Sequence, residues 1–189
     1  MNLNYLEIVG TLVGLFYLWL EYRASIYLWI AGIVMPAIYI VVYYRAGLYA
    51  DFGINIYYLL ASFYGWLAWK YRKSVAEEKA VPITRMPLRS YLPMVVVTLF
   101  LWGAIAWVLI AFTDSTVPWM DSFTTALSVV GMWMLARKYV EQWFPWIAVD
   151  VVCCGLYWYK ELFFTAVLYG MYAVIAVFGY VKWRKMMIE

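Results

Sequence analysis

The sequence predicts an all-α, polytopic membrane protein with seven transmembrane helices, and both its composition and its hydropathy pattern support this prediction. Of the 189 residues, 68% are hydrophobic, only 13% are charged, and the mean hydropathy is +0.78. Soluble domains carry roughly 25% charged residues. Apolar runs of about 17 to 23 residues recur along the chain, and each is long enough to cross roughly 30 Å of hydrocarbon. The runs fall near residues 5–22, 26–44, 54–71, 91–112, 120–136, 143–159 and 162–183.

The basic residues predict the orientation of these helices. An odd number of helices places the two termini on opposite sides, and all but Arg45 and Lys160 of the 14 basic residues then lie on the side of the C-terminus. The positive-inside rule therefore predicts an outer N-terminus and a cytoplasmic C-terminus. The first run lacks a basic n-region and carries Glu7, so it is predicted to be a retained helix and not a cleaved signal peptide. The net charge of +3 follows from this topology and does not indicate nucleic-acid binding.

Residue types that are missing from the sequence exclude several classes of chemistry. There is no histidine, which removes the usual proton shuttle and the commonest zinc ligand. The phosphate-binding pattern G-x-x-x-x-G-K-[ST] does not occur, so the chain has no ATP site of that kind. Cys153 and Cys154 are adjacent inside an apolar run, which disfavours a mutual disulfide. We predict that the chain is not an enzyme and holds neither a cofactor nor a metal.

The second and third helices carry a kinking residue and a polar residue. Pro36 falls in the middle of the second helix, where it removes a backbone hydrogen bond and kinks the helix unless neighbouring groups compensate. Asn55 lies near the outer end of the third helix. It is predicted either to point inward as a hydrogen-bonding side chain or to lie in interfacial water.

The middle of the chain contains a polar stretch and an uncharged helix. Residues 71–90 are rich in Lys, Glu, Pro and Arg without an apolar period, and they are predicted to form a cytoplasmic linker. The fourth helix holds no charged residue and is predicted to be a connector. Asp121 is predicted to cap the fifth helix. The hydroxyls of Thr124, Thr125 and Ser128 are predicted either to line a cavity or to bond the carbonyls one turn earlier.

The sixth helix carries the strongest candidate for a functional residue, Asp150. It falls near the bilayer midplane, where an ionised side chain costs about 3 kcal/mol, and intramembrane carboxylates are commonly functional. Trp146 lies one turn earlier on the same face, and an aromatic ring beside a carboxylate suits a flat, cationic ligand. The alternative is that Trp146 fills a helix interface while Asp150 pairs with a tyrosine hydroxyl.

The two ends of the chain predict an internal repeat. The matched pairs are Trp29 with Trp146 and Tyr22 with Tyr139 at an offset of 117, and Gly65 with Gly179 and Trp69 with Trp183 at an offset of 114. One extra helix between two three-helix repeats makes them parallel, as in SWEET facilitators, whose substrate site lies at the repeat interface. We therefore predict a 3+1+3 architecture, with a first repeat at 1–73, a linker and fourth helix at 74–117, and a second repeat at 118–189.

Several segments of the chain resemble the PnuC family of bacterial vitamin transporters. The resemblance is carried by residues 48–50, 64–66 and 118–122, by Trp69, Ser128 and Trp146, and by the run R-K-Y-V-E-Q-W at residues 137–143. It covers nearly the whole chain. It implies the seven-helix fold, a homotrimer in the bacterial inner membrane, and facilitated diffusion of an unphosphorylated vitamin. It also implies that a cytoplasmic kinase traps the vitamin by phosphorylation.

Two departures from the family pattern suggest the substrate. The nicotinamide riboside members resemble one another in carrying Gln and Asn where this chain has Asn55 and Asp150. A carboxylate in place of an amide favours a ligand that offers donors or positive charge, so the chain is more similar to the thiamine branch, PnuT. The predicted substrate-binding residues are Asp150, Trp146, Asn55, Trp66, Tyr58, Ser128, Tyr157 and Tyr169.

Other functions remain open from the sequence. Nicotinamide riboside or another flat vitamin is the alternative within the same family. A substrate-binding subunit of an ATP-driven vitamin importer has a similar size and tryptophan content, although the odd number of helices disfavours it. A proton-coupled symporter is compatible with a buried carboxylate. A membrane enzyme is disfavoured because Asp150 has no second acid, histidine or metal ligand at its depth.

Overall fold

The computed structural model describes residues 3–46, 49–71, 82–159 and 161–187. Within these ranges the chain forms seven α-helices and no β-strand, which confirms the all-helical prediction. They are α1 (Leu3–Tyr22), α2 (Leu28–Ala46), α3 (Tyr49–Tyr71), α4 (Tyr91–Phe112), α5 (Pro118–Ala136), α6 (Trp143–Tyr159) and α7 (Phe163–Met186). Two single-turn 3₁₀ helices, Leu88–Ser90 and Val140–Gln142, precede α4 and α6. Most of the predicted linker, at 72–81, and Leu48 of the family motif lie outside the described residues.

The observed helix ends differ from the predicted ones by a few residues, for local reasons. Helix α5 begins at Pro118 and not near residue 120, because proline at the first helical position loses only an amide that has no partner there. Asp121 therefore lies inside the first turn, and the prediction that it caps the helix is wrong. Helix α2 continues through Pro36, which is buried.

Two helices of the described chain, Leu88–Phe112 and Phe163–Met186, are both long enough and apolar enough to cross a membrane by composition alone. The first of these includes the 3₁₀ turn before α4. A shorter apolar helix, Leu28–Val41, lies within α2. Aromatic residues make up 22% of the chain, and Trp and Tyr at helix ends suit the membrane interface while lowering the hydropathy of a helix.

The chain divides into two compact units. The first comprises Met1–Pro82 with Ala136–Lys138, and it contains α1, α2 and α3. The second comprises Ile83–Leu135 with Tyr139–Glu189, and it contains α4 to α7.

The core of the first unit is a tryptophan pair closed by a glycine. Trp29 at the start of α2 is fully buried and meets Trp69 of α3 edge to face, with ring centroids 5.4 Å apart. The Trp29 ring lies directly on Gly65, where a Cβ atom would collide with it. Only glycine at this position lets the ring reach the α3 backbone. We call this arrangement the first Trp–Gly–Trp lock.

The second unit contains a matching arrangement, which we call the second Trp–Gly–Trp lock. Trp143 at the start of α6 meets Trp183 of α7 edge to face at 5.7 Å and lies on Gly179. A Cβ at Gly179 would approach the Trp143 ring to 2.5 Å. Each residue of the second lock follows its counterpart in the first by 114 positions.

The turn that precedes each lock is also the same. Ala24 and Lys138 both adopt left-handed backbone conformations, with φ of 50° and 55°. The next amide closes each turn, from Ser25 to the Leu20 carbonyl at 2.9 Å and from Tyr139 to the Met134 carbonyl at 3.1 Å. This bond from the residue after the left-handed position is the Schellman pattern of a helix C-terminus.

These equivalences correct the sequence alignment of the two ends. The partner of Trp29 is Trp143 and not Trp146, so the separation is 114 residues through this region and no three-residue gap is needed. The error arose because Trp143 and Trp146 are themselves three residues apart, and the pattern of letters alone matched the wrong one.

The end of the predicted linker is packed and not simply polar. Ile83 and Met86 are buried, at 5% and 4% exposure. Thr84 forms an isolated parallel bridge with Tyr139. Residues 83–90 of the predicted cytoplasmic linker therefore pack against the second unit through two apolar side chains that are spaced among polar ones.

Candidate substrate site on α6 and α7

Helix α6 places Asp150 and Trp146 on one face, four residues apart. Asp150 is buried, at 7% exposure. Its carboxylate interacts electrostatically with Tyr169 and Tyr172 of α7 and with Cys153 one turn further along α6. No side-chain hydrogen bond to Asp150 is found within the described ranges, so the predicted alternative of a tyrosine partner is supported by proximity only.

Three tyrosines follow one another beside this carboxylate. Tyr157 of α6 and Tyr169 of α7 share a side-chain hydrogen bond, and their ring centroids are 5.2 Å apart. Tyr169 and Tyr172 meet nearly edge to face at 5.6 Å. Tyr157 and Tyr169 were predicted as site residues and Tyr172 was not, although its i+3 spacing from Tyr169 on the same helix already indicated a shared face.

The ring of Trp146 is held against α5 by a glycine. A Cβ at Gly131 would lie 3.2 Å from Cε2 of Trp146, closer than most side-chain contacts. The indole Nε1 is buried and has no hydrogen-bond partner in the described part of the chain. Gly131 therefore sets the depth and tilt of this ring.

The hydroxyl groups of α5 turn back to their own helix. Ser128 donates to the Thr124 carbonyl at 2.8 Å and Thr125 donates to the Asp121 carbonyl at 2.7 Å. Of the two roles predicted for this stripe, the backbone bonds are the ones observed. A hydroxyl that has used its proton can still accept a hydrogen bond, so the role of Ser128 in substrate binding stays a prediction. Asp121 accepts the Ser115 hydroxyl at 2.8 Å.

The remaining predicted residues lie on α3 in the first unit. Asn55, Tyr58 and Trp66 recur at helical spacing, and Ser62, fully buried against Gly32, continues the same stripe. The Trp66 ring has Lys70 Nζ at 4.5 Å from its centroid. One face of Trp66 is thus occupied by a cation, and the roles of Asn55, Tyr58 and Trp66 stay predictions.

A buried carboxylate among tyrosines and one fixed indole suits a particular ligand chemistry. The carboxylate favours positive charge, the indole offers a flat face, and the phenols offer hydrogen bonds. Within the described residues, no group of three His, Cys, Asp or Glu side chains is placed to hold a metal ion. The arrangement is that of a binding site for an organic molecule.

Comparison with known proteins identifies the family. The nicotinamide mononucleotide transporter family model matches residues 4–185. The nicotinamide riboside transporter PnuC of Escherichia coli is 25% identical over 96% of this chain and 86% of its own length. The riboflavin/roseoflavin transporter RibM of Streptomyces davaonensis is also 25% identical, over 94% of this chain and 83% of its own length.

A solved structure agrees in fold. The crystal structure of the vitamin B3 transporter PnuC superposes with a TM-score of 0.70 at 24% identity, over 94% of this chain and 80% of that one. Because the family model spans nearly the whole chain, its activity class follows with the fold. The chain belongs to the nicotinamide mononucleotide (PnuC) transporter family and is a multi-pass membrane transporter, not an enzyme.

Proposed function

We propose that this chain is a facilitator for the uptake of an unphosphorylated, flat and positively charged B vitamin across the bacterial inner membrane. The observation that supports the charge preference is Asp150, a carboxylate only 7% exposed in the middle of α6. Burying a carboxylate is costly unless charge or hydrogen bonds compensate it. A cationic ligand beside Trp146 supplies that compensation.

Charge separates the vitamins that the relatives transport by name. Nicotinamide riboside carries a pyridinium cation, whereas riboflavin is neutral, so Asp150 favours the former over the latter. The names of the relatives also favour nicotinamide riboside, which we take as the first candidate. Thiamine, with a thiazolium cation and an aminopyrimidine, is the second candidate. It is favoured by the carboxylate at 150 and the shorter amide at Asn55.

The transport mechanism that we propose is alternating access without a coupled ion. Two parallel three-helix repeats rocking about a site near the midplane would expose the vitamin to each side in turn. The two Trp–Gly–Trp locks, at the same separation of 114 residues, support such repeats. We further propose an outer N-terminus, a homotrimer, and trapping of the vitamin by a cytoplasmic kinase.

The decisive experiment measures equilibrium binding of radiolabelled nicotinamide riboside, thiamine and riboflavin to the purified chain and to Asp150→Asn. We expect one of the two cations to bind and riboflavin not to bind. The variant should weaken binding of the cation at least tenfold, which corresponds to about 1.4 kcal/mol. Asp114→Asn, at an exposed carboxylate between α4 and α5, is the control, and it should bind normally.

Transport by the chain alone tests the remaining alternatives. In proteoliposomes without ATP, the labelled cation should equilibrate, and a protonophore should not change its rate. Uptake that needs added ATPase subunits would identify a binding subunit of an importer, and uptake that collapses with the protonophore would identify a symporter. Riboflavin binding with an unaffected Asp150→Asn variant would show that the carboxylate is structural.

A further inference from the structure

Residues 83–91, which we call the docking segment, run beside the turn at residues 139–142 that leads into α6. Val140 donates its amide hydrogen to the Thr84 carbonyl at 2.9 Å, within the parallel bridge of Thr84 with Tyr139. Two residues further on, the Met86 amide donates to Glu141 Oε2 at 2.9 Å. These two bonds fix the register of the segment against the turn.

Apolar contacts hold the same segment against α4 and α5. Met86, at 4% exposure, forms a buried cluster with Val130 and Met134 of α5. The side chains that pack around this cluster are Met94, Leu101 and Tyr139. The docking segment is therefore part of the core of the second unit and not a tether beside it.

Glu141 is the polar centre of this contact. Its side chain is only 9% exposed, and it accepts a hydrogen bond from the Tyr91 hydroxyl in addition to the Met86 amide. Hydrogen bonds to a charged group are stronger than those between neutral groups. Removing the carboxylate would leave the Met86 amide and the Tyr91 hydroxyl without this acceptor. Glu141 therefore joins the docking segment to the turn.

The position of this joint matters for the site on α6. Helix α6 begins at Trp143, two residues after Glu141. Trp146 lies three residues further on, about 4.5 Å along the helix axis at 1.5 Å per residue. A displacement of the turn therefore moves Trp146 and Asp150 together.

The equivalent turn of the first unit has no such joint. The residue 114 positions before Glu141 is Tyr27, whose side chain is 64% exposed. The first Trp–Gly–Trp lock nevertheless closes in the same geometry as the second. A buried carboxylate at this position is thus not needed to build the lock.

We propose that Glu141 is a positioning residue for substrate binding, which ties the docking segment to the turn before α6 and so holds Trp146 and Asp150 in their binding geometry. This proposal rests on the proposed function for its readout. Glu141 acts through the backbone of α6 and does not touch the vitamin. The docking segment is then the route by which the chain preceding α4 influences the affinity of the site.

The test measures binding of nicotinamide riboside and thiamine to the purified full chain by calorimetry. Glu141→Ala should raise the Kd about tenfold, or about 1.4 kcal/mol, while maximal uptake at saturating vitamin stays within about twofold. Glu141→Gln keeps an acceptor oxygen for the Met86 amide and should restore most of the affinity. Glu161→Ala, at an exposed glutamate after α6, is the matched control and should bind like the wild type.

A cross-link provides a second readout that separates positioning from general stability. Cysteines at Thr84 and Tyr139, which are bridge partners, should form a disulfide that restores the affinity of Glu141→Ala. The proposal would be overturned if folded Glu141→Ala binds the vitamin with an unchanged Kd. It would also be overturned if the disulfide forms in Glu141→Ala and the affinity for the vitamin stays low. If Glu141→Ala does not fold, Tyr91→Phe replaces it: a Kd raised about threefold supports the proposal and an unchanged Kd contradicts it.

The same cross-link distinguishes failure of this proposal from failure of the proposed function. If the wild-type chain binds neither vitamin, the proposed function is wrong. Disulfide formation between positions 84 and 139 is then compared with and without Glu141. Slower cross-linking in Glu141→Ala would support the role of Glu141 in tying the docking segment to the turn, and equal rates would contradict it.

Discussion

The turns that lead into the two Trp–Gly–Trp locks have nearly the same backbone but very different side chains. In the first unit the two residues before Trp29 are Tyr27, whose side chain is exposed, and Leu28, which is apolar and buried. In the second they are Glu141 and Gln142, both buried and polar. The lock itself is therefore built from glycine and tryptophan alone. The buried polar side chains of the second turn, Glu141 and Gln142, are not required to form the lock.

Adding a methyl group to the glycine of each lock tests whether the two locks are equivalent. Gly65→Ala and Gly179→Ala should each lower the free energy of unfolding by about 3 kcal/mol, with Gly65→Ala the worse because its ring contact is tighter. Thermal unfolding of the purified chain in detergent measures this loss. Gly155→Ala, where a Cβ meets nothing within 4 Å, is the control and should be neutral. A tolerant Gly179 would show that the two locks are not equivalent.

The polar residue of the second turn can be replaced by its counterpart from the first. Gln142 is fully buried, and neither amide atom has a hydrogen-bond partner in the described chain. Leu28, equally buried, occupies the position 114 residues earlier. Gln142→Leu should therefore raise the free energy of unfolding by about 2 kcal/mol, measured by the same melts. Destabilisation would mean that Gln142 has a partner which the Leu28 environment lacks.

The left-handed residue of each turn also differs, since Ala24 corresponds to Lys138. Burial lowers the pKa of Lys138 to about 8, although its Nζ lies over the Trp69 ring at 4.2 Å, which favours the charge. Because the unfolded lysine titrates near 10.5, the unfolded chain binds more protons between about pH 8 and 10.5, and stability rises with pH there. Below pH 8 the cost of burying the charge is fully present.

Lys138→Met should remove that cost, raising stability at pH 7 by about 1 kcal/mol and abolishing the rise between pH 8 and 10.5. Melting temperatures across this range measure both effects. Lys182→Met, at an exposed lysine near the end of α7, should change neither. If the slope persists in Lys138→Met, another group produces it.

The smallest expected effect concerns the depth of Trp146. Gly131→Ala should push the ring by a few tenths of an ångström, weakening vitamin binding about threefold, or roughly 0.6 kcal/mol, with little change in melting temperature. Gly103→Ala, on α4 in open space, controls for the added methyl group. An unchanged affinity would show that the position of the Trp146 ring does not affect vitamin binding.

The sequence predicted the helices well because each is a long, mainly apolar run. It indicated the burial of Asp150 because a carboxylate inside such a run is rare, whereas the binding role of Asp150 stays a prediction. It missed the docking segment because Ile83 and Met86 are isolated among polar residues, and burial of two side chains leaves no period to detect. The sequence alignment paired Trp29 with Trp146 because both are tryptophans, but it is the Trp143 ring that packs on a glycine in the same way as the Trp29 ring. The cap role predicted for Asp121 failed because the local preference of Pro118 for the first helical position started α5 earlier.

Replacing non-glycine residues at left-handed backbone positions is a practical route to a more thermostable protein. Ala24, with φ of 50°, and Glu161, with φ of 60°, each close a helix in a conformation that suits glycine. Such a backbone costs roughly 1 to 2 kcal/mol for an L-residue, against up to about 1 kcal/mol of added chain entropy for glycine. Ala24→Gly combined with Glu161→Gly therefore provides a starting point for a thermostabilised variant suited to crystallisation or long assays, because neither change removes a core side chain.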